Sequence, residues 1–150
     1  MIDTHPSECP YYLISRVTLF VTSALKKGFG DAGVTSVKPA YLGVLLTLWR
    51  EDGLKVIDLG RKSGLEPSTM TGLLDRMERD RLLYREADPC DRRAQLIYLT
   101  PNGHEVKPAV LRVLDEVLGG VFQGITDREL QQTKHVLRRV LTNAQEGNRA

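Results

Sequence analysis

The chain is short of the features that mark several large classes of protein. Of its 150 residues only two are cysteine, Cys9 and Cys90. They make neither a CxxC pair nor a disulfide framework, so a reducing cytoplasm is the expected setting. The three histidines, His5, His104 and His135, are scattered, and HExxH, GxSxG and GxxxxGK do not occur. Those gaps remove the usual metalloprotease, serine-hydrolase and phosphate-loop readings; no catalytic residue, metal or cofactor is expected. His104 reads as an ordinary polar residue in the first turn of a helix. Long apolar runs are also lacking. The stretch from Tyr11 to Leu25 is preceded by Asp3 and Glu8 and interrupted by Arg16, which suits neither a signal peptide nor a membrane span. Finally, there is no strong excess of either charge: the formal net charge is +2, with 41% hydrophobic and 27% charged residues. That balance fits one soluble domain over 1–150, long enough to bury a core without metals or disulfides.

What is present concentrates in residues 66–100. Met70, Leu73, Leu74 and Met77 recur at i, i+3, i+4 and i+7 and form one apolar stripe of a helix. At about 100° per residue, the opposite face collects Ser68, Thr71, Gly72, Asp75 and Arg79, with Thr69 and Arg76 on its shoulder. Small hydroxylated residues dominate its first turn, as a helix needs if its N-terminus is to approach base edges and offer free N–H groups to a phosphate. Pro67 suits the first helical position, whereas Glu66 is a weaker cap than Ser or Asp. Upstream, Val56, Leu59 and Leu65 can bury one side of a short helix near 56–63, and Gly64 supplies a tight turn, which together make a helix-turn-helix. Downstream the period changes. Leu82 to Glu86 and Gln95 to Thr100 read as short strands, with Asp88, Pro89 and Asp91 favouring a turn that projects Arg92 and Arg93 from a hairpin tip. Guanidinium groups on such an arm can enter the negative potential of a narrow minor groove.

These phrases resemble the MarR (multiple antibiotic resistance regulator) family of dimeric winged-helix transcription factors. EPSTMTGLLDRME is similar to the family's recognition-helix phrase SPSTVTRLVDRLE, and Asp88 through Gly103 is similar to its wing phrase DPEDRRAxLVxLTPxG. Val37 to Leu45 resembles its LTPAQYxVL helix start. The likeness covers nearly the whole chain. It departs at Gly72, where many members carry a long side chain, at Cys90, a position that is usually charged, and at Lys38, where a capping Ser or Thr is usual and Ser36 is the nearby substitute. The resemblance implies a mainly α fold with a small β-hairpin wing: a winged helix-turn-helix over about 39–100, flanked by dimerisation helices at about 10–27 and 101–145. It also implies a cytoplasmic, sequence-specific regulator of double-stranded DNA, a homodimeric repressor on a palindromic operator, released by a small aromatic or phenolic ligand. Carried onto this chain, the family's ligand pocket falls on Tyr11, Tyr12, Arg16, Tyr41, Leu45 and Trp49.

Charge argues through distribution rather than amount. Residues 55–93 contain nine Lys or Arg and eight Asp or Glu, so Arg61, Lys62, Arg76, Arg79, Arg85, Arg92 and Arg93 have to face the phosphates while the acidic residues point elsewhere. With the helix residues above, Asp88 and Asp91 of the wing complete the expected DNA-binding set. The flanking segments carry surplus apolar surface: Leu13, Val17, Phe20, Val21 and Leu25 near the start; Val106, Val110, Val113, Val117 and Val121 on one long helix capped by Thr100 and Pro101; and Leu130, Leu137, Val140 and Leu141 after a Thr126-x-x-Glu129 capping box. A symmetric homodimer is the simplest way to bury it. Two alternatives remain at this level. Some branches of the family that the chain resembles sense organic hydroperoxides through a first-helix cysteine near tyrosines, which makes Cys9, followed by Tyr11 and Tyr12, one candidate oxidant sensor; Cys90 is another, since oxidation there places negative charge beside DNA phosphates. A winged helix used for protein contact is the other.

Overall fold

A computed structural model describes residues 5–149. Residues 1–4 and 150, the ends of the expected 1–150 domain with Asp3 among them, lie outside the described residues. The chain forms two compact units, and the division falls between Val117 and Leu118.

In the first unit, after a turn at Pro6–Glu8, helix α1 spans Pro10–Asp31, with Pro10 at its first position. It runs four residues beyond the expected end at 27, because Gly28 faces a neighbour instead of breaking the helix: a Cβ there would lie 2.5 Å from Val113 Cγ1. Leu25 and Phe29, on either side of that glycine, are buried. A single turn at Pro39–Tyr41 leads into α2, Leu42–Leu48; Lys38 precedes it without a side-chain cap. Strand β1 (Leu54–Lys55), α3 (Val56–Ser63), α4 (Pro67–Arg79), β2 (Leu83–Asp88) and β3 (Asp91–Leu99) follow.

The sheet is antiparallel with order β1-β3-β2, so the wing has three strands where the sequence suggested two. Leu54 pairs with Ile97 and Lys55 with Leu96; two residues are too few to show alternation. The hairpin also pairs closer to its tip than expected. Asp88 Oδ1 accepts from Cys90 N at 2.8 Å, and Asp91 Oδ1 accepts from Arg93 N at 3.0 Å. These carboxylates hold a reversal at Pro89-Cys90, let Asp88 pair with Asp91, and place Arg92 and Arg93 inside β3 instead of in a loop.

Beyond the wing, Thr100 caps α5 (Pro101–Glu105) by accepting from Gly103 N at 3.0 Å. The expected single long helix is broken at Val106, and α6 begins at Lys107 (Lys107–Val121). Pro108 has no N–H to continue the ladder and restricts the residue before it, which accounts for the break. Buried residues from α1 to α6 make one core, including Phe29, Tyr41, Leu45, Leu59, Met77, Leu82, Ile97 and Val110.

The second unit holds the end of α6, a reversal at Gly124 (φ 81°) and α7, Asp127–Arg149. The capping box forms as expected: Thr126 N–H and Oγ1–H each donate to Glu129 Oε2 at 2.8 Å, and Glu129 N donates back to Thr126 Oγ1 at 3.3 Å. These bonds hold the Glu129 carboxyl below its ordinary range. No residue of α7 is buried; Val136, Leu137, Val140 and Leu141 stand exposed along it.

One glycine determines how closely the wing meets the helices. A Cβ at Gly103 would lie 2.1 Å from Leu82 O, with Leu99 Cδ2 at 3.1 Å. Gly103→Ala is therefore expected to destabilise the protein by about 3 kcal/mol, the upper end for overpacking because backbone must yield. The check is a urea melt, in which the alanine variant unfolds at clearly lower denaturant; an unchanged midpoint would refute the close approach.

Candidate nucleic-acid interface

Two reversals aim helix α4. At the first, Gly64 adopts a left-handed conformation (φ 71°), while Leu65 N donates to Gly60 O at 2.9 Å and Gly64 N to Arg61 O at 3.3 Å. This Schellman-type closure ends α3 and launches α4. Gly60 lets the helices pack closely, since a Cβ there would sit 3.1 Å from Leu65 O and 3.3 Å from Met70 Cγ. At the second, Leu82 N donates to Met77 O and Arg81 N to Glu78 O, both at 3.0 Å, and Arg81 takes the left-handed position (φ 61°). Between them Met70, Leu73, Leu74 and Met77 are buried, as the apolar stripe requires.

The opposite face of α4 is open. Pro67, Ser68, Thr69, Thr71, Asp75, Arg76 and Arg79 are exposed and Gly72 is half-buried. Glu66 makes no side-chain cap bond, so the first-turn N–H groups of Ser68 and Thr69 stay available to an outside acceptor. Thr71 Oγ1 donates to Pro67 O at 3.2 Å, which holds its hydroxyl against the helix on this exposed face.

The charged residues sort into two groups. Arg85 of β2 crosses to α4, where its Nη2 donates to Asp75 Oδ1 at 2.6 Å and its Nε lies 3.2 Å from Glu78 Oε2. The Nε–Glu78 approach has no hydrogen-bond alignment, which leaves Nε without a hydrogen-bond partner in a spot sealed from solvent. Asp75 and Arg85, both expected at the DNA, are thus paired with each other and brace the wing against the helix. Asp88 is likewise turned inward. It is 8% exposed, with Lys55 Nζ at 3.5 Å and Cys90 N on its other oxygen; it organises the wing tip. Asp91 does so too, through Arg93 N. Arg61 lies 3.7 Å from Asp58, and Lys62 is paired with Glu51. Among the described residues the side chains of Arg76, Arg79, Arg92 and Arg93 have neither a hydrogen-bond nor an ion-pair partner, and all four are exposed.

Tyr41 locks the far end of α4. Its hydroxyl donates to Asp80 Oδ2 at 2.5 Å, Lys38 Nζ lies 4.0 Å from the same oxygen, and the lysine sits 5.9 Å from the phenol ring centre. Burial, with the Asp80 bond and charge adding to it, pushes the Tyr41 phenol up to about 12. Of the six residues expected to line a pocket, Tyr41 and Leu45 belong to the core cluster and Trp49 packs against it. Both core residues are fully buried, and Trp49 Nε1 donates to Gly103 O at 2.9 Å. Tyr11, Tyr12 and Arg16 lie exposed on α1, with the Arg16 guanidinium 4.9 Å from the Phe20 ring centre. Cys9 is half-buried at the start of α1, and Cys90 is exposed at the wing tip.

Sequence reasoning missed Asp52. Its Oδ1 accepts from Leu99 N at 3.0 Å and from Gly53 N at 3.1 Å, and His104 Nε2 lies 3.6 Å from Oδ2. Asp52-Gly53 is a turn-forming dipeptide, and with Leu54-Lys55 after it that signal marks the entry to β1.

A family model described as the MarR family matches residues 39–94. The organic hydroperoxide resistance transcriptional regulator of Bacillus subtilis is 33% identical over 110 residues, which cover 73% of each chain. Two further curated regulators match at 35% and 39% identity, and the matched region spans 62% and 42% of their lengths. Among solved structures, a MarR-family transcriptional regulator from Silicibacter pomeroyi superposes with a TM-score of 0.69 at 30% identity, covering 93% of this chain and 92% of that one. CouR from Rhodococcus jostii RHA1, solved bound to p-coumaroyl-CoA, gives 0.76 at 28% identity, covering 93% and 96%.

The Tyr41 hydroxyl yields a pH signature. A phenol raised in the fold contributes its full stability below the unfolded value near 10 and loses it as pH climbs from there through about 12. Tyr41→Phe is expected to cost on the order of 2 kcal/mol at neutral pH, the range for a bond to a charged acceptor. Urea unfolding at pH 8, 10 and 11 should show the gap between the two proteins narrowing above pH 10. A gap that stays constant would contradict it.

Proposed function

The chain belongs to the MarR family, and from that premise we propose that it is a transcriptional regulator that binds double-stranded DNA as a homodimer through α4 and the β2–β3 wing. The observation that carries this reading is the open face of α4 together with the unpaired arginines of the wing. Ser68, Thr69 and Thr71 present small hydroxyls where a helix N-terminus meets base edges and phosphates. Arg92 and Arg93 extend from the far end of the hairpin toward an adjacent groove. Arg61, Lys62 and Arg79 supply phosphate contacts around them. Pairing of Asp75, Glu78 and Asp88 with Arg85 and Lys55 removes the carboxylates that would oppose this, so a segment of small net charge still offers a positive surface.

A second copy of the chain is supported by exposed apolar side chains on two helices. Tyr11 is 79% and Phe20 65% exposed on α1, and α7 carries its own stripe. Burying such surface against an identical chain is the usual solution, and it sets two reading helices about 34–36 Å apart on a palindromic operator. The regulator works in the cytoplasm as a repressor, and a small aromatic or phenolic molecule releases it by binding more tightly to the dimer whose α4 helices are misplaced. The likeness to CouR supports that ligand class. The likeness to a regulator named for organic hydroperoxide resistance, with Cys9 beside Tyr11 and Tyr12, supports an oxidant as the alternative signal.

The test is binding of the purified chain to duplex DNA from upstream of its own gene across a salt series. Affinity is expected to fall linearly in log salt, and Arg92→Ala with Arg93→Ala to weaken binding about 10-fold or more at roughly 0.1 M salt while flattening the slope. An absence of salt-sensitive binding would sink the reading. Thr71→Ala should change which sequences are preferred more than it changes overall affinity; equal losses on every duplex would remove Thr71 from base reading.

A further inference from the structure

Gly72 is costly where it stands. It lies in the middle of α4, adopts no left-handed conformation and closes no turn. Glycine there costs about 1 kcal/mol of helix stability relative to alanine. Packing against the rest of the protein does not demand it either: among the described residues, apart from its chain neighbours and the helix's own backbone, a Cβ built at this position meets only Arg76 Nη1 within 4 Å, at 3.8 Å. The guanidinium of Arg76 therefore lies beside the bare backbone of Gly72, one turn nearer the N-terminus than its own Cα. Long helical side chains lean in that direction.

Arg76 is also kept free. Asp80, four residues on, is held by the Tyr41 hydroxyl and approached by Lys38. Asp75 and Glu78 are engaged by Arg85. With its nearby carboxylates committed elsewhere, Arg76 has no hydrogen-bond or ion-pair partner among the described residues. A planar fork of donors thus rests on the exposed face of α4, in space that any longer side chain at position 72 would fill.

We propose that Arg76 is the specificity-determining residue of α4, its guanidinium reading a guanine through O6 and N7 in the major groove, and that Gly72 clears the space for that contact. This rests on the DNA-binding reading above and adds to it one base per half-site. Ser68, Thr69 and Thr71 contact the duplex at the helix N-terminus, and Arg76 reads one step further into the groove. Bidentate pairing with guanine is the commonest specific contact an arginine makes, and it discriminates against other bases by about 1–3 kcal/mol, which is about 5- to 150-fold in affinity. Lysine keeps the charge and loses the fork.

The experiment is selection of binding sites from random duplexes by wild type, Arg76→Lys, Arg76→Ala, Gly72→Ala and Gly72→Gln, followed by affinity and salt slopes on the selected site and on the same site with the one guanine replaced. Circular dichroism melts show that each variant is folded. Wild type is expected to select a guanine at one symmetric position and to lose about 5- to 150-fold when it is replaced. Both Arg76 variants should bind the two duplexes equally. Gly72→Ala should keep the preference, because a Cβ fits at 3.8 Å, and Gly72→Gln should alter it at that same position. The proposal is overturned if Arg76→Lys retains the guanine preference, if Arg76→Ala loses equally on all sequences with a shallower salt slope, which marks a phosphate contact, or if Gly72→Gln selects the wild-type site. If wild type shows no salt-sensitive binding to any duplex, the DNA-binding reading itself has failed, and that outcome is separate from the others.

Discussion

The backbone contact between Gly103 and Leu82 is the constraint on which the arrangement of α4 and the wing depends. Leu82 O accepts from Thr100 N at 3.0 Å while Gly103 stands directly above it, and Thr100 Oγ1 donates to Arg81 O at 2.6 Å. Gly103 O in turn accepts from Trp49. Four parts of the first unit meet at this point: the end of α4, the base of the wing, the first turn of α5 and the C-terminal end of α2. The wing cannot tilt without moving a carbonyl that is already in contact with helix backbone. A side chain, however small, at position 103 would push these parts away from one another.

The wing is fixed a second time by charge. Arg85 ties β2 to α4 and Lys55 ties β1 to the tip, so each strand of the sheet other than β3 sends one cation to a carboxylate on another element. Individually, exposed ion pairs of this kind contribute about 0.2–1 kcal/mol. Arg85 is less exposed than its two partners, at 27% against 54% and 49%, and it shares them, which favours a network over an isolated pair. Their effect is on position more than on stability.

The sequence displayed period and punctuation well and direction poorly. Met70, Leu73, Leu74 and Met77 announced α4, and Gly64 and Thr126 marked where helices turn or start, because these signals act within a few residues. Pro108 was equally visible, yet the strength of the valine stripe from Val106 to Val121 suggested one helix across it. The two residues of β1 were hidden because a strand that short gains its identity from the partner it meets, Ile97 and Leu96, more than 40 positions away. The site divides along the same line. Exposure of Ser68, Thr69, Thr71, Arg76, Arg92 and Arg93 followed from periodicity and turn chemistry. The inward course of Asp88 and the crossing of Arg85 to Asp75 did not, since a charge count records sign and not aim. Tyr41, Leu45 and Trp49 entered as pocket residues through the family resemblance alone, since spacing along a helix reads alike whether a side chain faces a cavity or a core.

The Arg85 brace changes what salt does to this protein. Ions that compete for DNA phosphates also screen Arg85 from Asp75 and Glu78, and they do so on α4, the helix proposed to face the duplex. Loosened carboxylates there add repulsion at the moment when the attraction is being screened. A plot of affinity against ionic strength therefore registers two events, the ions displaced from the nucleic acid and the charges unmasked on the protein. Its steepness overstates the number of phosphates touched by whatever the brace contributes.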